Sequence, residues 1–368
     1  MFRKPNAMML LALGLIILLG IVLNLPDIPD NLHSIKVSYS DLNTERTISN
    51  SEQLKIFISL LNDDEQLSPM LWFGRKQVTL SIGNGDHVYS YDGKYLYNNE
   101  KNTRLQPNDR TIKLLDSNFD ILARDTFAPV KSWSEVNKSF PVKSKARVSD
   151  LETGLSFMVQ RRAGTYHADV QPLTEQDTAI MKNIFKDKWT WKRRAIIVQT
   201  GNTKIAASMN GMPHGQGALR NNFPGHFCIH FYNSLTHGNR SRDAAHHIMI
   251  AKAGGTLENY LQTATPLEVA NTFLLGLEQQ DQYLLKVTSK IIKPKDLSFL
   301  EKLDNWEDIN FETPKLKDDA HTKMFYVIPV ELGLLPKNSN QRTYLQKSLV
   351  LTRESLTSPW LIDLRLSL

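Results

Sequence analysis

The stretch GHFCIHF, residues 225–231, decides the fold of the central part of this 368-residue chain. Polar and apolar side chains alternate along it, with His226, Cys228 and His230 set against Phe227, Ile229 and Phe231. Successive side chains of a β-strand point to opposite faces, so this alternation predicts a strand. The apolar face is expected to lie in a core, while the thiol and the two imidazoles share the opposite face.

A glycine-rich loop, NGMPHGQG at residues 210–217, precedes this strand and carries His214. We expect the loop to close over the polar face and to offer backbone N–H groups to an oxyanion. An imidazole beside a thiol lowers the pKa of the thiol and favours the thiolate. Cysteine with histidine is the minimum set for nucleophilic acyl transfer, which makes Cys228, His226 and His214 candidate catalytic residues.

Two other interpretations use the same atoms. Nitrogen and sulfur donors are ligands that Zn²⁺ accepts. The middle of the chain supplies them from three residues of the strand and from further candidates, namely His226, Cys228, His230, His214, His237, His246, His247, His167 and Asp169. No CxxC or HExxH motif is present. In the third interpretation, Cys228 is a buried small hydrophobe and the histidines are structural.

Residues 148–255 resemble the catalytic domain of the L,D-transpeptidases of the YkuD type, cysteine enzymes that crosslink bacterial cell-wall peptides. His214-Gly215 matches the His-Gly pair of the family, and residues 225–230 match its Ser-His-Gly-Cys-Ile-Arg segment. The resemblance implies Cys228 as the nucleophile and His226 or His214 as the base, with Gly215 and His230 at substrate-binding positions. Gly225, Phe227 and His230 replace the Ser, Gly and Arg of the family pattern.

Two further clusters are candidate binding residues. Arg161 and Arg162 can form a guanidinium fork for a carboxylated ligand, or they are solvated. Trp191, in KDKWTWKRR at residues 186–194, can stack on a sugar ring while the following cations meet acidic groups, or it packs under the domain.

Composition limits the partners of the chain. The net charge is +6 and the pI is near 9.1, but basic and aromatic residues are not interleaved as on a nucleic-acid surface, so no nucleic acid is expected. Anionic lipid or a wall polymer such as peptidoglycan is the expected partner. The single cysteine excludes an intramolecular disulfide.

Residues 7–25, AMMLLALGLIILLGIVLNL, contain no charged residue and are long enough to cross a bilayer as a helix. Arg3 and Lys4 precede this run, and Asp27 and Asp30 follow it. The sequence therefore predicts a single-pass protein of the cell membrane, with its N-terminus cytoplasmic and its bulk outside. A cleaved signal peptide is the alternative.

The predicted fold class is α+β, with an N-terminal transmembrane helix followed by three folded regions. The last region, with two helices before long β-type runs, resembles the nuclear-transport-factor-2-like (NTF2-like) fold. The predicted divisions are a tail at 1–6, the membrane anchor at 7–25, a small α+β domain at 27–125, a linker at 126–145, the mostly-β L,D-transpeptidase-like domain at 146–263 and the NTF2-like α+β domain at 264–368.

The leading prediction is a membrane-anchored, extracytoplasmic protein with a Cys/His acyl-transfer site that acts on or binds bacterial cell-wall peptide. A non-catalytic envelope scaffold or sensor is the first alternative, and a zinc-dependent peptidase or amidase is the second. The acyl-transfer chemistry requires no cofactor, and zinc is the one cofactor that the residues allow.

Overall fold

The computed structural model of the chain describes residues 32–61, 66–69, 71–237, 240–313 and 320–367. Within those ranges, none of the helices combines the length and the apolar composition needed to cross a bilayer. The longest one described, Asp109–Thr126, carries charged residues throughout. This finding contradicts the transmembrane helix in the predicted fold class and the predicted membrane location, and both are corrected. The predicted span, residues 7–25, lies outside the described residues.

The first folded region is a seven-stranded sheet with strand order β2-β1-β4-β5-β6-β7-β3. Its elements are β1 Leu32–Tyr39, β2 Glu45–Ile48, α1 Ser51–Leu61, β3 Gln66–Leu67, β4 Lys76–Ile82, β5 Gly85–Tyr91, β6 Leu96–Asn98, β7 Thr103–Leu105 and α2 Asp109–Thr126. Strands β4 and β5 form a hairpin across Gly83 and Asn84, residue types that favour a tight turn. Leu54 and Phe57 of α1 are buried in the core under the sheet, as their spacing predicts.

The predicted linker, residues 126–145, contains a helix, α3 Trp133–Ser139. Glu135 accepts hydrogen bonds from the backbone N–H and the hydroxyl of Ser132, which caps the first turn. Trp133 and Val136 are buried in the core of the next region. This segment is therefore part of a packed structure. The helix has only 7 residues, which is too short for a helical periodicity to be recognised in the sequence.

The central region is a closed barrel of six strands in the order β10-β13-β12-β11-β8-β9. Its elements are β8 Lys145–Asp150, β9 Ser156–Ala163, β10 Ala168–Pro172, α4 Glu175–Ile184, β11 Arg193–Thr200, β12 Thr203–Asn210 and β13 Phe227–His230. Phe227, Ile229 and Phe231 lie in the barrel core with no exposed surface. The apolar face predicted for residues 225–231 is thus confirmed.

The last region has, among the described residues, four helices that precede a five-stranded sheet, in the order β14-β18-β17-β16-β15, and a fifth helix that follows it. Its elements are α5 Ala244–Ala253, α6 Leu257–Thr263, α7 Pro266–Gln279, α8 Gln282–Val287, β14 Ser289–Lys290, β15 Trp306–Glu312, β16 Phe325–Pro336, β17 Thr343–Thr352, β18 Leu361–Asp363 and α9 Leu364–Ser367, with 3-10 turns at Pro294–Leu297, Leu300–Asn305 and Ala320–Thr322. Helices precede the sheet as predicted, but the β14–β18 pair is parallel. The NTF2-like assignment stays a prediction.

A buried charge cluster joins the three regions. Lys252 of α5, 1% exposed, places its Nζ 2.7 Å from Asp281, 3.1 Å from Glu152 and 3.3 Å from Asp41. Asp41 also accepts two hydrogen bonds from the guanidinium of Arg75. Burial lowers the pKa of Lys252, but the three carboxylates raise it by more, so the net shift is upward. The ammonium therefore stays charged inside the protein and holds the first sheet, the barrel and α5 together.

Candidate metal centre

Two adjacent strands of the barrel bring Asp169 and Cys228 together. β10 and β13 are antiparallel neighbours, and their register places Asp169 directly opposite Cys228. Directly opposed residues have Cβ atoms about 4.5–5.5 Å apart, so their side chains meet on one face. The Sγ atom of Cys228 lies 3.8 Å from Oδ1 of Asp169, and both residues are buried.

Two histidines approach the same carboxylate. His167, directly before β10, places its Nε2 3.1 Å from Oδ1 of Asp169. His237, on the loop after β13, places its Nε2 3.2 Å from that oxygen. The Nε2 atom of His237 is also 2.9 Å from Nε2 of His167 and 3.7 Å from Sγ of Cys228. One atom from each of the four residues lies within 4.8 Å of all the others, so this His/Asp/Cys group could hold a metal ion.

The loop between β12 and β13 adds His214 and His226 to the site. Their backbones exchange two hydrogen bonds of 2.9 Å, which holds the loop against the entry to β13. The Nε2 atom of His214 lies 3.1 Å from Sγ of Cys228, whereas Nε2 of His226 lies 3.9 Å from Oδ1 of Asp169. His214 thus lies closer to the thiol than His237 does, and His226 faces the carboxylate.

Two glycines of this loop are required by its geometry. Gly215 has φ +61°, and a Cβ atom there would lie 2.3 Å from Cε1 of His226. Gly225 has φ +126°, and its Cβ would lie 2.5 Å from the carbonyl oxygen of His214. Any other residue would push the loop away from the thiol. Gln171, fully buried on β10, adds a hydrogen bond of 2.7 Å to the carbonyl of Gly225.

The tautomers of three histidines follow from their backbone partners. The Nδ1 atoms of His167, His214 and His226 lie 2.7, 2.9 and 3.2 Å from the carbonyl oxygens of Leu235, Met212 and Gln216. A carbonyl only accepts, so each Nδ1 carries the hydrogen and donates it. In the neutral rings each Nε2 therefore presents a lone pair toward the interior of the site. A backbone carbonyl behind the ring is the common outer partner of a metal-bound histidine.

The hydrogen-bond acceptors in the site outnumber its hydrogens. The acceptors are Nε2 of His167, His214 and His226 together with Oδ1 of Asp169. At most two side-chain hydrogens are available to them when the histidines are neutral, one from the thiol and one from His237. The Nε2 atom of His226 is buried and has no hydrogen-bond partner among the described residues. Buried acceptors without donors are costly, and a bound cation satisfies several of them at once.

Burial and charge keep the thiol protonated in the metal-free site. Burial raises the pKa of Cys228 far above its ordinary value, and the carboxylate of Asp169 raises it further. Burial lowers the pKa of His214 despite the hydrogen bond to Met212. Burial also raises the pKa of Asp169, but His167, His226 and His237 lower it by more when their rings carry a proton, so the net shift is downward. A bound divalent cation reverses this preference and deprotonates a thiol that it ligates.

The distances within the His/Asp/Cys group are close to those of a tetrahedral metal site. Metal–nitrogen and metal–oxygen bonds of about 2.0–2.1 Å and a metal–sulfur bond of about 2.3 Å place tetrahedral ligands about 3.3–3.6 Å apart. The nitrogen and oxygen atoms here are 2.9–3.2 Å apart, and the sulfur lies 3.7–3.8 Å from its two measured neighbours. These five distances differ from the tetrahedral values by a few tenths of an ångström, and the sixth, between the sulfur of Cys228 and the ring nitrogen of His167, is at most 4.8 Å.

The ring of His230 packs against the ring of His167, a member of the His/Asp/Cys group. Its ring stacks between His167, at 4.5 Å, and His246, at 3.8 Å, and His246 hydrogen-bonds the hydroxyl of Ser208. Burial lowers the pKa values of His230 and His246, so both rings are neutral. His230 is 4% exposed, and its place at a substrate-binding position stays a prediction.

Arg161 and Arg162 both use their guanidinium groups in hydrogen bonds within the protein. Arg161 is 2% exposed, and its guanidinium donates to three backbone carbonyls and to Asn137. These bonds use four of the five N–H groups of the guanidinium, and the carboxylate fork stays a prediction. The guanidinium of Arg162 bonds Gln160 of its own strand. Trp191, in contrast, is half exposed, and its ring centroid lies 5.2 Å from that of His214, at the rim of the site.

Comparison with known proteins identifies no relative of this chain. No protein-family model matches it, and the search of curated proteins gives no match. The resemblance to the L,D-transpeptidases therefore stays a prediction.

Proposed function

We propose that this protein is a zinc-dependent hydrolase of amide bonds, with His167, Asp169 and Cys228 as buried ligands and His237 at the exposed fourth position. The observation that carries the proposal is the excess of inward-facing acceptors over hydrogens, with three Nδ1–H groups held by backbone carbonyls. Oriented lone pairs of this kind are what a cation site needs before it is filled.

The donor set favours zinc over the common hard cations. Two imidazole nitrogens, one thiolate and one carboxylate suit Zn²⁺, which accepts all three ligand types. Ca²⁺ and Mg²⁺ are bound through oxygen atoms, and the His/Asp/Cys group offers only Asp169 as an oxygen ligand. Zinc is therefore the ion that these residues fit best.

The different exposure of the ligands supports catalysis over a purely structural role. The side chain of His237 is 53% exposed, whereas that of His167 is 1% exposed. His237 would hold a bound zinc ion from the exposed side, where water or a substrate carbonyl could approach the site. A bound zinc ion supplies Lewis-acid polarisation and lowers the pKa of water.

The residues of the chain then account for the movement of protons. His214, with its Nδ1–H held by Met212, offers Nε2 as the general base for the attacking water. Water adds to the amide carbon, the C–N bond breaks, and the proton taken by His214 passes to the leaving amine. The products are a carboxylic acid and an amine, and no oxidant or reductant is needed.

The second candidate is acyl transfer by Cys228, as the L,D-transpeptidase resemblance implies for cell-wall peptide. The 3.1 Å contact between Nε2 of His214 and Sγ of Cys228 favours it, because a base must reach the proton that it removes. Two observations oppose it. The residue Cys228 is 3% exposed, and burial and Asp169 raise the pKa of the thiol.

Metal analysis of the full chain tests the proposal. We expect about one zinc ion per chain after incubation with zinc and removal of the excess, and protection of Cys228 from iodoacetamide in the loaded protein. Release of new amines from a mixed peptide digest should stop after chelation and return with zinc. The absence of stoichiometric zinc contradicts the metal site, and stoichiometric zinc without amine release contradicts the hydrolase.

The affinity for zinc should fall as the pH is lowered. The thiol must lose its proton to bind, and its raised pKa means that this proton is still present at neutral pH. Binding should therefore release about one proton per zinc ion near pH 7. Calorimetry in buffers of different ionisation enthalpy measures this number. A value of zero means that Cys228 is not a ligand.

A further inference from the structure

A cationic cavity lies beside the metal centre, on the other side of Trp191. Thr190 and Lys192, the two neighbours of Trp191 in the chain, both line this cavity of about 530 Å³. Trp191 itself contacts His214, with ring centroids 5.2 Å apart. Only one residue of the chain therefore separates the cavity from the candidate general base.

The cavity also borders the loop that carries the base. Phe185, another lining residue, packs so closely on Gly211 that a Cβ atom there would lie 2.7 Å from its ring. The N–H of Gly211 donates to the carbonyl of Thr190 at 2.9 Å. Gly211 begins the segment that leads to His214. The cavity wall and the catalytic loop are thus built against each other.

The charges that line the cavity do not cancel. Six cations and four carboxylates contribute to the lining: Lys186, Lys188, Lys192, Arg193, Arg194 and Lys337 against Glu152, Asp281, Asp304 and Glu307. Most of them have partners in ion pairs, namely Arg194 with Glu152, Lys188 with Glu307, Arg193 with Asp243 and Asp281 with Lys252. Among the described residues, no ion pair joins Lys186, Lys192 or Lys337 to a carboxylate. Of the four lining carboxylates, Asp304 is the one outside these ion pairs. The three lysines therefore outnumber it, and the lining has an excess of positive charge.

Lys192 is the best placed of these cations. Its Nζ donates a hydrogen bond of 2.5 Å to Oε1 of Gln280, a neutral group. Burial lowers the pKa of Lys192, the carboxylates of Glu307 and Asp308 oppose this, and two neighbouring lysines add to it. A partly buried ammonium without a carboxylate partner gains most from a ligand that brings a negative charge.

We infer that this cavity is a subsite for an acidic side chain of a peptide substrate, with Trp191 packing on the backbone between that side chain and the cleaved bond. The inference rests on the proposed function, since it takes the substrate to be an amide. The lysines attract the carboxylate, and the half-exposed indole supplies a rigid apolar surface. The protein then selects peptides with Asp or Glu a short distance from the bond that is hydrolysed.

Calorimetric titration with two matched peptides tests the subsite. The probes are acetyl-Ala-Glu-Ala-amide and acetyl-Ala-Gln-Ala-amide, which have nearly the same shape and differ in charge. We expect the full-length, zinc-free protein to bind the glutamyl peptide about fivefold more tightly, because a partly buried charge pair is formed only by that peptide. The preference should disappear in Lys192→Gln, which retains a polar group near Gln280.

Lys204→Gln is the matched control, because Lys204 is exposed and is not one of the residues that line the cavity; it should keep the preference of the wild type within about twofold. Equal binding of the two peptides, or an unchanged preference in Lys192→Gln, overturns the inference. Because the titration uses zinc-free protein, its result is independent of hydrolysis. Zinc-dependent hydrolysis without a preference for the glutamyl peptide would contradict the proposed subsite but not the hydrolase. A Lys192-dependent preference without zinc binding would contradict the hydrolase but not the subsite.

Discussion

Asp169→Asn is expected to lower the affinity for zinc by at least about a hundredfold, because zinc-binding free energies of about 10–16 kcal/mol shared among four ligands give each ligand about 3 kcal/mol. The change keeps the shape of the side chain but removes the only negative oxygen of the His/Asp/Cys group. Competition with a chromogenic chelator measures the affinity.

The same substitution separates the two candidate functions. The carboxylate of Asp169 helps to keep the thiol of Cys228 protonated. Removal of the carboxylate should therefore lower the pKa of the thiol and speed alkylation of the thiol by iodoacetamide. Acyl transfer by Cys228 should survive this change. Zinc-dependent hydrolysis, in contrast, should be lost. Asp187→Asn is the control, since Asp187 is exposed and should change neither property. An Asp169→Asn variant with wild-type affinity for zinc would falsify the metal proposal.

Lys252→Met is expected to lower the free energy of unfolding by about 3–5 kcal/mol, the usual result of removing one partner from a buried ion pair. Methionine fills most of the volume of the lysine but leaves Asp41 and Asp281 facing each other without the ammonium between them. Both carboxylates lie within 3.3 Å of Nζ in the native protein. Urea denaturation of the full chain, followed by far-UV circular dichroism, measures the loss.

The control for this effect is an exposed ion pair of the same chemistry. Lys188 and Glu307 are 3.5 Å apart, with side chains 70% and 48% exposed. Lys188→Met should therefore cost at most about 1 kcal/mol. If the two variants unfold at the same urea concentration, the buried cluster does not join the three regions energetically.

Parts of the site could be anticipated from local patterns. The alternation in residues 225–231 correctly predicts one face of β13, because a side-chain period of two is a property of any strand. The glycine-rich loop correctly points to His214 as a partner of the thiol, since Gly215 and Gly225 occupy positive φ values that other residues avoid. Thr174 and Asp177 form a capping box at the start of α4, and the spacing of this motif is visible in the sequence.

Other features have no local signal. Arg161 looks like a solvated or ligand-binding residue in the sequence, but it binds carbonyls that only the folded chain brings near, such as that of Phe140 at 2.6 Å. The histidines are held by the backbone carbonyls of Leu235, Met212 and Gln216. Every residue type has such a carbonyl, so the sequence does not indicate which ones will serve. The charge excess of the cavity likewise depends on which lysines have partners.

The sequence by itself determined the mixed α and β character of the described chain, the strand at residues 225–231 and the set of nitrogen, sulfur and oxygen donors in its middle. Periodicity and turn residues act over a few positions, so they can be recognised without the rest of the fold. Only the tertiary structure decided which donors meet. Closure of the barrel sets Asp169 opposite Cys228 and brings in His237, whereas His230 turns toward His246. These contacts join residues distant in the chain, and their geometry depends on how the whole barrel packs.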